Sequence, residues 1–103
     1  MNEFIRVAKH SDLARGTMKC VDLAGKQVLL VHADDGIHAI DEMCTHEDAS
    51  LALGCIKGNY IKCPLHGSRF DLHTGNPLEE PADVPLTVHE VKIEGDDILV
   101  RMR

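Results

Sequence analysis

Two short pairs of metal-ligand residues, Cys44-Thr45-His46 and Cys63-Pro64-Leu65-His66, constrain this chain more than any other feature. Cys-x-His sets a thiolate and an imidazole close together on one stretch of backbone, and Cys-x-x-His repeats the arrangement on a second. Sixteen residues separate His46 from Cys63, enough for an out-and-back hairpin that returns the second pair beside the first. The set Cys44, His46, Cys63 and His66 then offers two soft thiolates and two imidazoles. Zinc accepts such a set as a closed tetrahedral site. A [2Fe–2S] cluster accepts it with both thiolates on one iron and both imidazoles on the other. Cys-x-His is short for a zinc knuckle, whose ligands usually stand about two to four residues apart. Spacing alone nevertheless leaves both metals open.

The rest of the chain reads as a β scaffold for two loops. Its 103 residues suit a single domain, residues 1–103. Short β-like runs alternate with turn residues: Phe4–Ala8, Met18–Leu23, Gln27–His32, Ile37–Ile40, Tyr60–Lys62, Ser68–Leu72, Leu86–Ile93 and Ile98–Val100. Asp34-Asp35-Gly36, Gly58-Asn59 and Gly95-Asp96 supply the turns, and this regular punctuation predicts an all-β sandwich or barrel. Ser11-Asp12-Leu13 predicts one helical turn, capped by Ser11 or Asp12. Both ligand pairs fall where no strand pattern runs, in the loops on which sites are usually built.

Composition removes several function classes. Seventeen acidic against eleven basic residues give a formal charge of −6, which argues against nucleic acid. Tyr60, Phe4 and Phe70 are the whole aromatic complement, too few to stack bases. No run of about 20 apolar residues marks a membrane span. Met-Asn-Glu-Phe-Ile-Arg lacks the features of a signal peptide, so the expected location is the cytoplasm. In that compartment thiols stay reduced, and metal binding outranks disulfides for at least two of the four cysteines. Cys20 and Cys55 are expected to be structural buried thiols. His10, His32, His38, His73 and His89 are expected to be surface or strand histidines without a chemical role.

The flanking residues say more than the spacing. Cys-Thr-His followed by Cys-Pro-Leu-His-Gly-Ser-x-Phe-Asp, with Thr74-Gly75 beyond, closely resembles the Rieske iron–sulfur signature. Over nearly its whole length the chain is similar to the soluble Rieske-type ferredoxins of bacterial ring-hydroxylating oxygenase systems. The resemblance implies an all-β Rieske domain with a cluster-binding subdomain over about 43–81, inserted in a basal unit of residues 1–42 and 82–103. It implies one [2Fe–2S] cluster, with Cys44 and Cys63 on the buried iron and His46 and His66 on the outer, solvent-facing iron. Gly67 and Ser68 would support the cluster from behind those ligands, Gly67 by letting backbone N–H groups come close to the sulfides. The segment Pro81 to Pro85 is read either as the proline-bearing loop that would cover it from a third side or as an ordinary turn entering a strand.

The implied function is one-electron transfer without substrate chemistry. An NADH-dependent flavoprotein reductase would load the cluster, and a terminal aromatic-ring oxygenase would receive the electron. No separate two-His, one-carboxylate mononuclear iron site is expected, because that belongs to a larger domain. Monomer and homodimer are equally compatible. A small subunit of an assimilatory nitrite reductase and a structural zinc module are the rival readings. The four ligands count against the first, since those subunits often lack them.

Departures from the respiratory members of the family predict the potential. Their loop disulfide falls on Ala49 and Leu65 here, so it is absent. Ser68 matches their sulfur-bonding Ser, whereas Phe70 stands where they carry a Tyr hydroxyl. Fewer hydrogen bonds to sulfur stabilise the reduced state less, and Glu47 and Asp48 add repulsion. The expected centre lies near the lower end of roughly −150 to +300 mV. Asp41, Glu42, Glu47 and Asp48 crowd the first loop and are read either as a solvated face or as a patch steering a basic partner.

Overall fold

The computed structural model describes residues 3–45, 49–64, 67–78 and 84–103. Among them nine strands form two antiparallel sheets. The larger has the order β1-β9-β8-β4-β3-β2. It is built from β1 (Ile5–Lys9), β2 (Met18–Leu23), β3 (Lys26–Ala33), β4 (Gly36–Asp41), β8 (Val88–Glu94) and β9 (Asp97–Arg101). It curls until its two ends, β1 and β2, come into contact, giving a near-barrel. The smaller sheet has the order β5-β6-β7, from Cys55–Lys57, Tyr60–Lys62 and Arg69–Asp71.

Tight turns carry the hairpins. Ala24-Gly25 joins β2 to β3 with positive φ at both residues, 56° and 82°, the conformation that matches strand twist. Asp22 Oδ1 accepts the Gly25 N–H at 3.1 Å and holds the turn. Asp34-Asp35 joins β3 to β4, with Ala33 paired to Gly36.

β3 explains how the sheets are joined. Its run Val28-Leu29-Leu30-Val31 is buried throughout, which requires cover on both faces. Val28 and Leu30 point into one core with Ala8, Leu13, Leu23, Ala39, Ile98 and Val100, inside the curled sheet. Leu29, Val31 and Ala33 point into a second core with Ile40, Leu51, Ile61, Phe70, Leu72 and Leu86. That second core lies between the two sheets, and Cys44 and Cys63 belong to it.

The structure departs from the sequence expectations in three places. β5 has no counterpart among the β-like runs of the sequence, because Cys-Ile-Lys is too short to show alternation; pairing with β6 defines it. The helical turn is a 3-10 turn at His10–Asp12 with Lys9 at its N-terminus and no side-chain cap. Ser11 is committed elsewhere, its hydroxyl and its amide both donating to the Asp96 carboxylate at 2.8 and 2.9 Å. A further 3-10 turn, Leu51–Leu53, is capped by Ser50, whose hydroxyl accepts the Ala52 N–H at 3.2 Å. No helix among the described residues is long and apolar enough to cross a membrane.

Candidate metal centre

Both ligand loops are hairpin tips of the same build. Met43 bridges Ser50 at the neck of the first, and Cys44 N–H donates to Ala49 C=O at 2.9 Å. Lys62 pairs with Arg69 at the neck of the second, and Cys63 N–H donates to Ser68 C=O at 2.7 Å. Each cysteine therefore occupies the first position of its tip, with its amide tied to the carbonyl five residues on. The thiols are 5% and 2% exposed and lie in one core cluster. Burial there removes water from whatever they hold.

His46 and His66 lie outside the described residues, as do Glu47, Asp48, Leu65, Pro81, Ala82 and Asp83. Thr45 Oγ1 donates to Val84 C=O at 2.6 Å and ties the first loop to the segment before β8. This is the end of the Pro81–Pro85 stretch, one of whose two readings is cover from a third side. Gly67 has φ +70°, a conformation disfavoured for side-chain-bearing residues.

Ser68 tests whether the site suits a cluster. It is fully buried, and its Oγ is the one buried side-chain polar atom among the described residues with no hydrogen-bond partner. An orphaned buried hydroxyl is costly, so such groups are normally paired. A sulfide beside Cys63 supplies the acceptor that the protein itself withholds. Two buried thiols and an unsatisfied O–H donor suit a sulfur-rich group: an iron–sulfur cluster would add sulfide acceptors to the two cysteine sulfurs, which are the only sulfur acceptors a zinc ion would leave. Phe70 is also fully buried, packed between Ile61 and Pro77, and brings no hydroxyl.

Several expectations need correction. Cys20 and Cys55 are exposed rather than buried. Cys20 Sγ donates to Gln27 Oε1 at 3.1 Å. Desolvation, then the Glu42 and Asp22 carboxylates, push its thiol above the ordinary range, so it forms thiolate poorly. Gly54 has an extended backbone. A Cβ there would stand 1.9 Å from Lys62 C=O, so Gly54 lets the chain after the first loop lie directly against the strand entering the second. No sequence signal distinguishes it from Gly58, which is an ordinary turn glycine with φ +56°.

The acidic cluster is internally engaged where it is described. Asp41 bonds Lys26 Nζ at 3.1 Å and His89 Nε2 at 2.8 Å. Glu42 accepts from Ser50 Oγ at 2.6 Å. Exposed apolar side chains stand near the loops: Met43, Leu53, Leu78 and Val84 are exposed by 42–77%, with Lys62 exposed among them.

Comparison with known proteins agrees with this geometry. Residues 3–99 match the Rieske [2Fe-2S] domain family. Ferredoxin CarAc of Metapseudomonas resinovorans is 37% identical over 102 residues, covering 97% of this chain and 95% of the relative. The ferredoxin component of the naphthalene 1,2-dioxygenase system of Pseudomonas putida is 34% identical over 98 residues, covering 95% and 94%. A solved complex of reduced oxygenase and oxidised ferredoxin in carbazole 1,9a-dioxygenase contains a chain that superposes with a TM-score of 0.88. That chain is 34% identical, with 97% of this chain and 94% of that one covered. With two matched cysteine hairpins around a buried donor and a family match over almost its full length, the chain belongs to the Rieske [2Fe-2S] domain family, whose members hold a single [2Fe–2S] cluster.

Proposed function

We propose that this chain is the one-electron carrier of an aromatic-ring dioxygenase system, taking electrons from an NADH-dependent flavoprotein reductase and passing them to a terminal oxygenase. Cys44 and Cys63 hold the inner iron and His46 and His66 the outer one, within a cluster-binding unit over about residues 43–81. The cluster supplies reversible one-electron chemistry; the chain contributes ligands, burial and a docking face. The observation that carries this reading is the buried Ser68 hydroxyl without a protein partner, beside Cys63. Relatives named as a ferredoxin and a ferredoxin component support the electron-carrier role. The structure of a relative's ferredoxin with its oxygenase supports the choice of partner.

The residues around the loops bear on how docking proceeds. Electron-transfer encounters are small and transient. An apolar rim of Met43, Leu53, Leu78 and Val84 suits such an encounter and leaves electrostatic steering to Glu47 and Asp48. Phe70 without a hydroxyl supports a low potential.

Purified protein tests the reading. Two irons and two acid-labile sulfides per chain, with a Rieske EPR signal after reduction, are expected, and Cys63→Ser abolishes them. Colourless protein carrying one zinc overturns it, and a clearly positive midpoint overturns the low-potential assignment. In a reconstituted chain of reductase, this protein and oxygenase, Leu53→Glu slows transfer to the oxygenase while leaving the midpoint unchanged.

A further inference from the structure

Asp35, His38 and His73 come together at the end of the small sheet far from the ligand loops. Asp35 lies in the turn between β3 and β4, His38 on β4, and His73 just past β7. His38 Nε2 stands 2.8 Å from Asp35 Oδ1, and His73 Nε2 is hydrogen-bonded to Asp35 Oδ2. The two rings meet edge to face with centroids 4.8 Å apart. One donor atom from each residue, two imidazole nitrogens and a carboxylate oxygen, lies within 4.8 Å of the others. The His38 hydrogen bond is the largest effect and, with the charges of His38 and His73, holds the Asp35 carboxyl below its ordinary range, against burial, the second-largest effect, which opposes it.

The position is held from outside the cluster of ligands. Asn59 Oδ1 accepts the Asp35 N–H at 3.3 Å, and Gly58 C=O accepts the Asp34 N–H at 3.4 Å. These bonds fix the β3–β4 turn against the β5–β6 turn. Cys63 follows Asn59 by four residues of extended strand, roughly 13 Å, so this place is separate from the cluster loops. The His38 side chain is only 12% exposed, whereas that of His73 is 55% exposed and leaves an open side toward water.

We infer that Asp35, His38 and His73 form a second metal site, for a divalent ion of the zinc class. Two imidazoles and one carboxylate, a combination not expected from the sequence, are a borderline donor set that suits Fe2+ as well as Zn2+, Co2+, Ni2+ or Cu2+. Ca2+ and Mg2+ are disfavoured, since they call for shells of oxygen. The three side chains occupy three positions of a small coordination shell, and water on the open side of His73 completes it. Both histidines coordinate through Nε2, so binding displaces any proton carried there and replaces the carboxylate–imidazole hydrogen bonds by bonds to the ion. The ion would clamp the large sheet, through Asp35 and His38, to the small sheet, through His73. Because it binds the folded arrangement only, it raises thermal stability with the logarithm of free ion concentration once that exceeds Kd.

The test uses the tag-free protein with its cluster intact, titrated with ZnCl2 by calorimetry, with iron and zinc counted per chain after dialysis. One Zn2+ per chain, bound with iron retained and an upward shift in Tm, is expected. His73→Ala and Asp35→Asn each weaken it by about tenfold or more and leave the EPR signal of the reduced cluster unchanged. His10→Ala, in the separate His10–His32 ring pair, leaves zinc affinity unaltered. Failure of the intact protein to bind zinc overturns the site, and so does wild-type affinity in His73→Ala. Uptake of zinc matched by loss of iron also overturns it, since the metal has then entered the cysteine loops.

Discussion

The two cores on either side of β3 are built from the same aliphatic residue types and are constrained in different ways. The core inside the curled sheet is closed by long strands: Val28 and Leu30 meet Ile98 and Val100, and every contributor is aliphatic. The core between the sheets is closed by three-residue strands and contains Cys44 and Cys63. Alternation and volume suffice for the first. The second also depends on backbone segments that approach too closely for a side chain, at Gly54 against Lys62 C=O and at Gly75, where a Cβ would stand 2.1 Å from Leu86 C=O. A domain this small gains from a bound cluster where its strands are shortest. The comparison predicts that damage to the first core is paid in stability alone, whereas damage to the second also reaches the redox centre.

The largest effect should come from Gly54→Ala. Its Cβ would collide with a backbone carbonyl that cannot rotate away, so a loss of about 4 kcal/mol or more is expected, with cluster content falling in parallel. Normal iron content and an unchanged melting curve would remove the close-approach argument. Next, Leu30→Ala and Leu29→Ala each delete a fully buried side chain and should each cost about 2–5 kcal/mol. The pair separates the two cores: Leu30→Ala leaves the visible and EPR spectra of the cluster unchanged, and Leu29→Ala perturbs them. Identical spectra in both variants would break the distinction.

Smaller effects belong to the turns of the large sheet. Ala24 is the non-glycine residue with positive φ among the described residues. Relieving it by Ala24→Gly should stabilise the protein by up to about 1 kcal/mol in chemical denaturation, without altering the cluster. The smallest concerns Asp96, whose carboxyl is held below its ordinary value of 3.8, first by the Ser11 hydroxyl and then by the Ser11 amide. A carboxyl with a depressed folded pKa stabilises the fold above its unfolded value, and that contribution fades as pH falls through the folded value. Ser11→Ala should move Asp96 part of the way back up, read by carboxyl NMR titration, because the amide bond remains. An unmoved titration would assign the shift to the Ser11 amide, Lys9 and His10 and remove the hydroxyl from it.

Local chemistry made much of this protein legible in one dimension. Apolar alternation placed the long strands, because period two is a property of the strand itself. Asp-Gly and Gly-Asn dipeptides placed the turns, because their backbone tolerates positive φ. Two spaced Cys/His pairs and their flanking Pro64, Gly67 and Ser68 pointed to the loops proposed to hold the cluster. The short strand β5 escaped notice because three residues carry no period. Cys20 and Cys55 were expected inside and stand outside, since burial of a thiol depends on what packs over it.

Tertiary structure alone decided the rest. The unsatisfied state of Ser68 is a statement about every atom around its hydroxyl, not about Ser68. Gly54 is required by a carbonyl eight residues away, across a sheet that had to form first. His38 and His73, read singly as bland surface histidines, share one carboxylate only because the Asp34-Asp35 turn docks on the Gly58-Asn59 turn. Residue type and spacing determine which ligands a loop can offer, because these act over a few bonds. Which groups meet across 35 residues of sequence is decided by sheet packing, and no local pattern records it.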